Sequence, residues 1–135
     1  DPGVYTVTAH ASDFNSNSLT VSIDSGLSAT THIVLVSMGG SFSRNILPIL
    51  NVNCAIVGCH NDSSAAGGLR LNSYSNLMRG SKSGAVVLPY DAQTSKLVRR
   101  MKGIETPRMP KDRPSLSTSD QGLITNWING GARNN

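Results

Sequence analysis

Both cysteines of the chain and one of its three histidines lie in the heptapeptide Cys54–His60, with the sequence CAIVGCH. Two thiols followed by a histidine form the layout that attaches haem covalently, because each thiol adds to a vinyl group and the histidine ligates the iron. The usual spacing is C-x-x-C-H, and this loop is two residues longer. Gly58 eases the longer loop, since glycine adopts backbone angles that other residues avoid. The heptapeptide therefore predicts a haem site made by Cys54, Cys59 and His60.

Two other kinds of site use the same residue types. A disulfide between Cys54 and Cys59 is possible in an oxidising compartment, but it leaves His60 without a role. Zinc needs about four ligands, and outside the heptapeptide only His10 and His32 could add nitrogen ligands. Haem is the interpretation that uses all three residues. A structural or adhesive β-module with a disulfide and no redox role is the alternative.

Several further segments match one known family. They are, in chain order, Ile46-Leu47-Pro48-Ile49-Leu50, Gly67-Gly68-Leu69-Arg70-Leu71, Ser95-Lys96-Leu97, Met109-Pro110 and Trp127-Ile128-Asn129-Gly130-Gly131-Ala132. With the heptapeptide, they make residues 42 to 133 resemble the single-haem, class I-type c-type cytochrome domains that carry a C-x4-C-H motif. The resemblance implies one covalently bound haem c per chain and electron transfer with other redox proteins, without enzymatic catalysis. It also implies maturation outside the cytoplasmic membrane, hence a periplasmic or extracellular protein whose leader has been removed.

Met109 is the candidate for the second axial ligand of the iron. It lies in Pro107-Arg108-Met109-Pro110, a rigid segment that is not helical and could hold a thioether over the haem. The Met-Pro pair also matches the family named above. Met78 and Met101 fall on expected helices and Met38 near a domain boundary, where methionine commonly fills a core. A methionine ligand raises the reduction potential relative to bis-histidine ligation, which suits electron transfer.

Basic side chains could pair with the propionates of a haem. The candidates are Arg70, Arg99, Arg100 and Arg108, and the sequence does not rank them. Each could equally be a solvated surface charge.

The charge is divided unevenly along the chain. Residues 1–43 carry three aspartates and no lysine or arginine, a net charge of −3, whereas residues 44–135 carry 12 basic and 5 acidic residues, a net charge of +7. This asymmetry predicts a boundary near Gly39-Gly40, with a strand segment at 1–38 and a cytochrome c domain at 41–135. Nucleic acid is not an expected partner, because the basic residues are scattered and no binding motif accompanies them.

The sequence contains no apolar run of about 18 residues, so it predicts no membrane span.

Residues 4 to 36 alternate between apolar and polar side chains, which predicts a three-stranded β-meander with its third strand at Thr31–Val36. Pro2–Ala9 is similar to the closing strands of carboxypeptidase-regulatory-like β-sandwich domains, a partial resemblance. His10 and His32 lie on the polar faces of these strands and are interpreted as surface residues. Ligation of iron in a neighbouring chain is the alternative for either histidine.

Such a sheet is marginal on its own, because one apolar face needs a cover. Three covers are open: the cytochrome domain of the same chain, the rest of a longer parent protein, or a neighbouring molecule that adds strands to an open edge. The third would be self-association through residues 4–36, and a head-to-tail contact that does not close would then give a filament.

Helices are predicted in the remainder of the chain from caps and apolar spacing. They begin at Ser41 or Ser43, at Tyr74 (ending at Arg79), at Asp91–Thr94 (ending at Gly103) and at Ser117 or Ser119 (ending at Gly130-Gly131). In the cytochromes that the chain resembles, the first and last helices pack together, which implies a contact of Phe42 and Ile46 with Leu123 and Trp127. Aromatic residues are only 4% of the chain, so a bound haem would add apolar bulk to the core.

The expected fold class is α+β, with short N-terminal antiparallel strands followed by a mainly helical domain.

Overall fold

The structure is a computed structural model that describes residues 2–9, 17–33 and 40–135. The chain divides into two compact units, Asp1–Met38 and Gly39–Asn135. Strands occur in the first unit and helices in the second, which confirms the predicted α+β class.

The first unit contains an antiparallel pair of strands, β1 (Gly3–Ala9) and β2 (Asn17–Ile23). Val7 pairs with Leu19 and Tyr5 with Val21, so these four side chains share one face of the hairpin. Val7 remains 45% exposed and Leu19 41% exposed. The alternating pattern thus forms the expected apolar face, and this face is open to solvent.

The third predicted strand is not found in the part of Thr31–Val36 that the structure describes. Residues 31–33 have no strand conformation, and 34–36 lie outside the described residues. A β-branched run is insufficient to make a strand without a partner that pairs with its backbone. His32 is exposed, as expected for a surface residue, and His10 lies outside the described residues.

The second unit is built from short helices joined by long connections. In chain order these are a π-helical turn at Phe42–Ile46, α1 (Leu47–Asn53), a 3₁₀ turn at Ala66–Gly68, α2 (Tyr74–Arg79), α3 (Lys96–Met101) and α4 (Thr118–Asn129). The predicted bounds of α2 are confirmed. Ser41 caps the first turn, its Oγ accepting from the Arg44 N–H at 3.3 Å. Pro48 falls in the first turn of α1, where its missing N–H is tolerated.

The helix that was expected to start at Asp91–Thr94 begins later, at Lys96, within Ser95-Lys96-Leu97, the segment that opens a helix in the family resemblance. Residues 91–94 form a turn instead, in which the Asp91 carboxylate accepts from the Thr94 N–H at 3.1 Å. A short acidic side chain that bonds its own backbone favours a turn over a helix. Ser95 ends this turn, its Oγ donating to the Asp91 carbonyl at 2.7 Å.

The core of the second unit joins its first turn to α4. Phe42 lies 5.4 Å from Trp127 and 5.3 Å from Tyr74, measured between ring centroids. Trp127 is 1% exposed, and its indole N–H donates to the Arg133 carbonyl at 2.9 Å. The expected packing of Phe42 against Trp127 is confirmed. These contacts join the N-terminal turn of the unit to its last helix. The remaining elements lie between these two along the chain.

Candidate functional site

The heptapeptide Cys54–His60 follows directly on α1. The Cys54 N–H donates to the Leu50 carbonyl at 2.8 Å, which continues the helical bonding as far as the first thiol. The chain then turns back, and the His60 N–H donates to the Cys54 carbonyl at 3.0 Å. Gly58 has φ = +83°, an angle that other residues adopt only at a cost. The loop is therefore closed by its own backbone, and Gly58 supplies the angle that the closure requires.

The segment after the heptapeptide fastens the second thiol and the histidine. The Ala66 N–H donates to the Cys59 carbonyl at 2.8 Å, and the Leu71 N–H donates to the His60 carbonyl at 2.9 Å. Leu71 is buried in the core. The position of His60 is thus tied to the packed interior rather than left to a free loop.

The imidazole of His60 is oriented by a backbone carbonyl. Its Nδ1 lies 3.1 Å from the Ala66 oxygen. A carbonyl oxygen only accepts, so Nδ1 carries the proton and Nε2 keeps a free lone pair. Metal-ligating histidines are commonly held in this way. This arrangement leaves Nε2 as the nitrogen through which His60 could ligate a metal.

An apolar cavity of about 310 Å³ lies beside His60. Its lining includes Cys54, His60 and Met109, which the sequence places far apart. The aliphatic part of the lining comes from α1, α3, α4 and the connections between the helices: Leu50, Leu69, Leu71, Val86, Leu97, Leu116 and Ile124. A cavity of this size and character suits a bulky apolar group with a few polar anchors.

The two thiols differ in their relation to this cavity. Cys54 lines it, whereas Cys59 is half-buried and is not among the lining residues in the described chain. Both cysteines are free. Burial, and secondarily the nearby Cys59, raise the pKa of the Cys54 thiol to about 11, against a smaller lowering by Arg113. Cys54 therefore holds its proton at neutral pH in the absence of an attached group.

Met109 lines the cavity from the long connection between α3 and α4. Its N–H donates to the Arg100 carbonyl at 2.9 Å, which anchors it to the last turn of α3. Met101 also lines the cavity, from within α3, and is buried. Met78 packs against the core from α2. The cavity thus receives two methionines, one on a loop and one on a helix.

Polar side chains occupy part of the cavity wall. They are Ser81, Ser83, Lys96 and Arg100, and the Lys96 ammonium donates to Ser83 Oγ at 3.1 Å. Sequence reasoning missed Ser81, Ser83 and Lys96. The spacing of Lys96 and Arg100 could have pointed to Lys96, because residues four apart share a helix face.

The other arginines considered for propionate binding make contacts elsewhere. Arg70 Nε lies 3.6 Å from Asp62, and Arg99 Nε lies 4.0 Å from Glu105. Arg108 donates to the Arg113 carbonyl at 2.7 Å. Arg100 differs from these three in lining the cavity, although its Nε also lies 3.8 Å from Glu105.

The described residues contain neither a cluster of metal-binding side chains nor a membrane-spanning helix. In residues 2–9, 17–33 and 40–135, no group of three or more His, Cys, Asp or Glu side chains could hold a metal ion. Within the same ranges, no helix is long and apolar enough to cross a bilayer.

Residues 57–113 match the sequence model of a family described as Planctomycete cytochrome C. The matched segment contains Cys59, His60 and Met109 and begins after Cys54. It supports a cytochrome c-like domain, and such domains carry covalently bound haem and transfer electrons outside the cytoplasm. The longer spacing of the cysteines and the N-terminal strands lie outside what the match supports. No curated protein and no solved structure matches the chain.

Proposed function

We propose that this chain transfers single electrons through one haem c, held by thioether bonds from Cys54 and Cys59 and ligated by His60 and Met109. The observation that carries the proposal is the apolar cavity lined jointly by Cys54, His60 and Met109. A haem-binding chain needs these three groups in one place, although Met109 is distant in sequence from the other two.

The residues around the cavity fit a haem. The aliphatic lining suits the macrocycle, and the free Nε2 of His60 suits the iron. Lys96, with the hydroxyls of Ser81 and Ser83, suits the propionates, whereas the guanidinium of Arg100 is engaged by Glu105 and Pro107. A bound haem would supply a one-electron couple, and the chain's own residues would determine its potential and its access to solvent.

Each ligand has a distinct role in this proposal. His60 would be kept in one tautomer and orientation by the Ala66 carbonyl. Met109 would supply a thioether, which favours reduced iron and raises the potential. With His60 and Met109 both as ligands, the iron would have no open position for a substrate. Electron transfer to other redox proteins is therefore favoured over enzymatic catalysis.

The proposed location is the periplasm or the cell exterior, where c-type cytochromes mature. It is supported by the match to a cytochrome c family. Thiols in such a compartment are exposed to oxidation, and attachment to haem would protect both of them.

We further propose that the N-terminal strands mediate self-association, with a filament as the extended form. Support comes from the hairpin face that carries Val7 and Leu19, because this apolar surface is solvent-exposed in the chain. The opposite charges of residues 1–43 and 44–135 would favour contact between different molecules.

The haem proposal is tested by the mass of the intact chain after extraction with acidic acetone, which removes haem that is not covalently bound. The expected mass is that of the polypeptide plus one haem, and a variant with Cys54→Ser and Cys59→Ser provides the matched control. A wild-type mass equal to the bare polypeptide, less two hydrogens, would establish the disulfide alternative instead. Absorption spectra of the oxidised and reduced protein report the haem type and its ligation.

A further inference from the structure

We infer that Arg100 is a positioning residue that fastens the loop carrying Met109 to α3, and so controls how readily the sixth ligand leaves the iron. The inference rests on the proposed function, because it takes Met109 as the axial ligand. It adds a residue to the site and predicts a rate that the ligand assignment alone does not.

Arg100 makes three contacts with the segment that leads to Met109. Its guanidinium NH1 donates to the Pro107 carbonyl at 3.2 Å, and its Nε lies 3.8 Å from the Glu105 carboxylate. Its backbone carbonyl accepts the Met109 N–H at 2.9 Å. One residue at the end of α3 therefore holds the loop at three successive points: Glu105, Pro107 and Met109.

The ion pair with Glu105 is shielded from water. Glu105 Oε2 is inaccessible to solvent and has no hydrogen-bond partner among the residues that the structure describes, so the charges of Arg99 and Arg100 compensate it. The Arg100 side chain is 26% exposed. Screening is weaker here than on an open surface, and loss of one cation leaves the carboxylate less well compensated.

The rest of the loop offers little regular support for Met109. Residues 102–117 contain no helix or strand, so their backbone groups are not held by a continuous ladder. Opening such a loop requires breaking the contacts that tie it to the helices. The contacts that oppose movement of Met109 away from the cavity include the bonds from the Arg100 side chain to Pro107 and Glu105.

The test measures how fast imidazole binds to the oxidised haem protein, followed by the haem absorption in a stopped-flow instrument. Imidazole enters only when the Met109 position opens, so the rate reports loop opening. We expect Arg100→Gln to bind about tenfold faster than wild type, because it removes a charge-assisted hydrogen bond and an ion pair. Arg100→Lys keeps the charge without the planar fork and should lie between the two, at about threefold.

Arg99→Gln is the matched control. It removes the same charge from the neighbouring position and also removes a contact with Glu105, but it leaves the bond from Arg100 to Pro107. Its rate should stay within about twofold of wild type. Thermal midpoints of the two glutamine variants should agree closely, which separates an effect on the loop from a general loss of stability.

Two separate variants, Met109→Ala and Met101→Ala, are measured in parallel. They distinguish the inference about Arg100 from the assignment of Met109 as the ligand. If Met109→Ala binds imidazole no faster than wild type, Met109 is not the ligand and the proposed ligation fails. If Met109→Ala binds much faster but Arg100→Gln matches Arg99→Gln, the ligation stands and the inference about Arg100 is wrong. If Arg100→Gln does not retain haem, Arg100→Lys provides the test instead. An imidazole-binding rate for Arg100→Lys equal to that of the wild type overturns the inference.

Discussion

The two thiols of the heptapeptide have different surroundings, although six residues of chain contain both. Cys54 lines the apolar cavity, and burial raises its pKa to about 11 from an ordinary value of 9.0. Burial disfavours the thiolate, because a charge loses hydration there. The thiol therefore favours the folded state fully below about pH 9, and this contribution is lost as the pH rises through about 11.

The reactivity of Cys54 should follow from this shift. In chain produced without haem, alkylation of Cys54 by iodoacetamide at pH 8 should be about a hundredfold slower in folded than in urea-unfolded protein, because the thiolate reacts. Peptide mass mapping gives the rate at each cysteine, circular dichroism verifies the fold, and Cys54→Ser removes the slow phase. Equal rates at Cys54 in the folded and unfolded chain would contradict the prediction.

Among the elements, α4 has the most clearly specified beginning. Ser117 precedes its first residue, and the Ser117 hydroxyl accepts from the Asp120 N–H at 3.0 Å. Asp120 also places a negative charge in the first turn, where the helix dipole favours it. This cap matters beyond the helix itself, since α4 carries Trp127 to Phe42 and Ile124 to the cavity wall.

Removal of the cap should weaken the whole unit by a small, measurable amount. Ser117→Ala should lower the free energy of unfolding of the haem protein by about 1 kcal/mol, because the Asp120 N–H loses its partner. Ser119→Ala is the control, since Ser119 is exposed within the helix and should change stability by less than about 0.5 kcal/mol. Urea unfolding followed by circular dichroism gives both values. A larger loss for Ser119→Ala would show that the cap is misassigned.

At the scale of the whole molecule, the two units differ in how they satisfy their apolar residues. The helical unit buries Phe42 and Trp127 almost completely, whereas the hairpin leaves Val7 and Leu19 substantially exposed. Two-stranded hairpins are marginal in water. A partner that covers the hairpin would therefore stabilise it, and the opposite net charges along the chain offer another copy as that partner.

Assembly should depend on this face of the hairpin. Deletion of residues 1–38, or the pair Val7→Glu and Leu19→Glu, should abolish particles larger than a monomer, as seen by light scattering and electron microscopy. The control pair is Thr6→Glu and Thr20→Glu, which are also partners in the hairpin but project from the opposite face. A monomeric intact chain, or a truncated chain that assembles equally well, would favour a diffusible electron carrier instead.

Local chemistry made several features predictable from the sequence. The range of α2 and the cap of α4 depend on side chains within a few residues of each other. The range of α2 was predicted correctly, and Ser117 is one of the two caps that the sequence offered for α4. The haem attachment expected at the heptapeptide likewise rests on residue type and spacing, and it stays a prediction. The positive φ of Gly58 agrees with the need for a tight loop that the sequence indicated.

Tertiary structure decided which distant residues share a cavity. Sequence alone did not rank Arg100 above Arg70, Arg99 and Arg108, and it missed Ser81, Ser83 and Lys96, because packing between separate segments creates the cavity wall. It also predicted a strand through residues 31–33, where no strand forms. Alternation describes one segment, but a strand exists only when a second segment bonds to it. Residue types thus determined what chemistry is available, and long-range contacts determined where those residues meet.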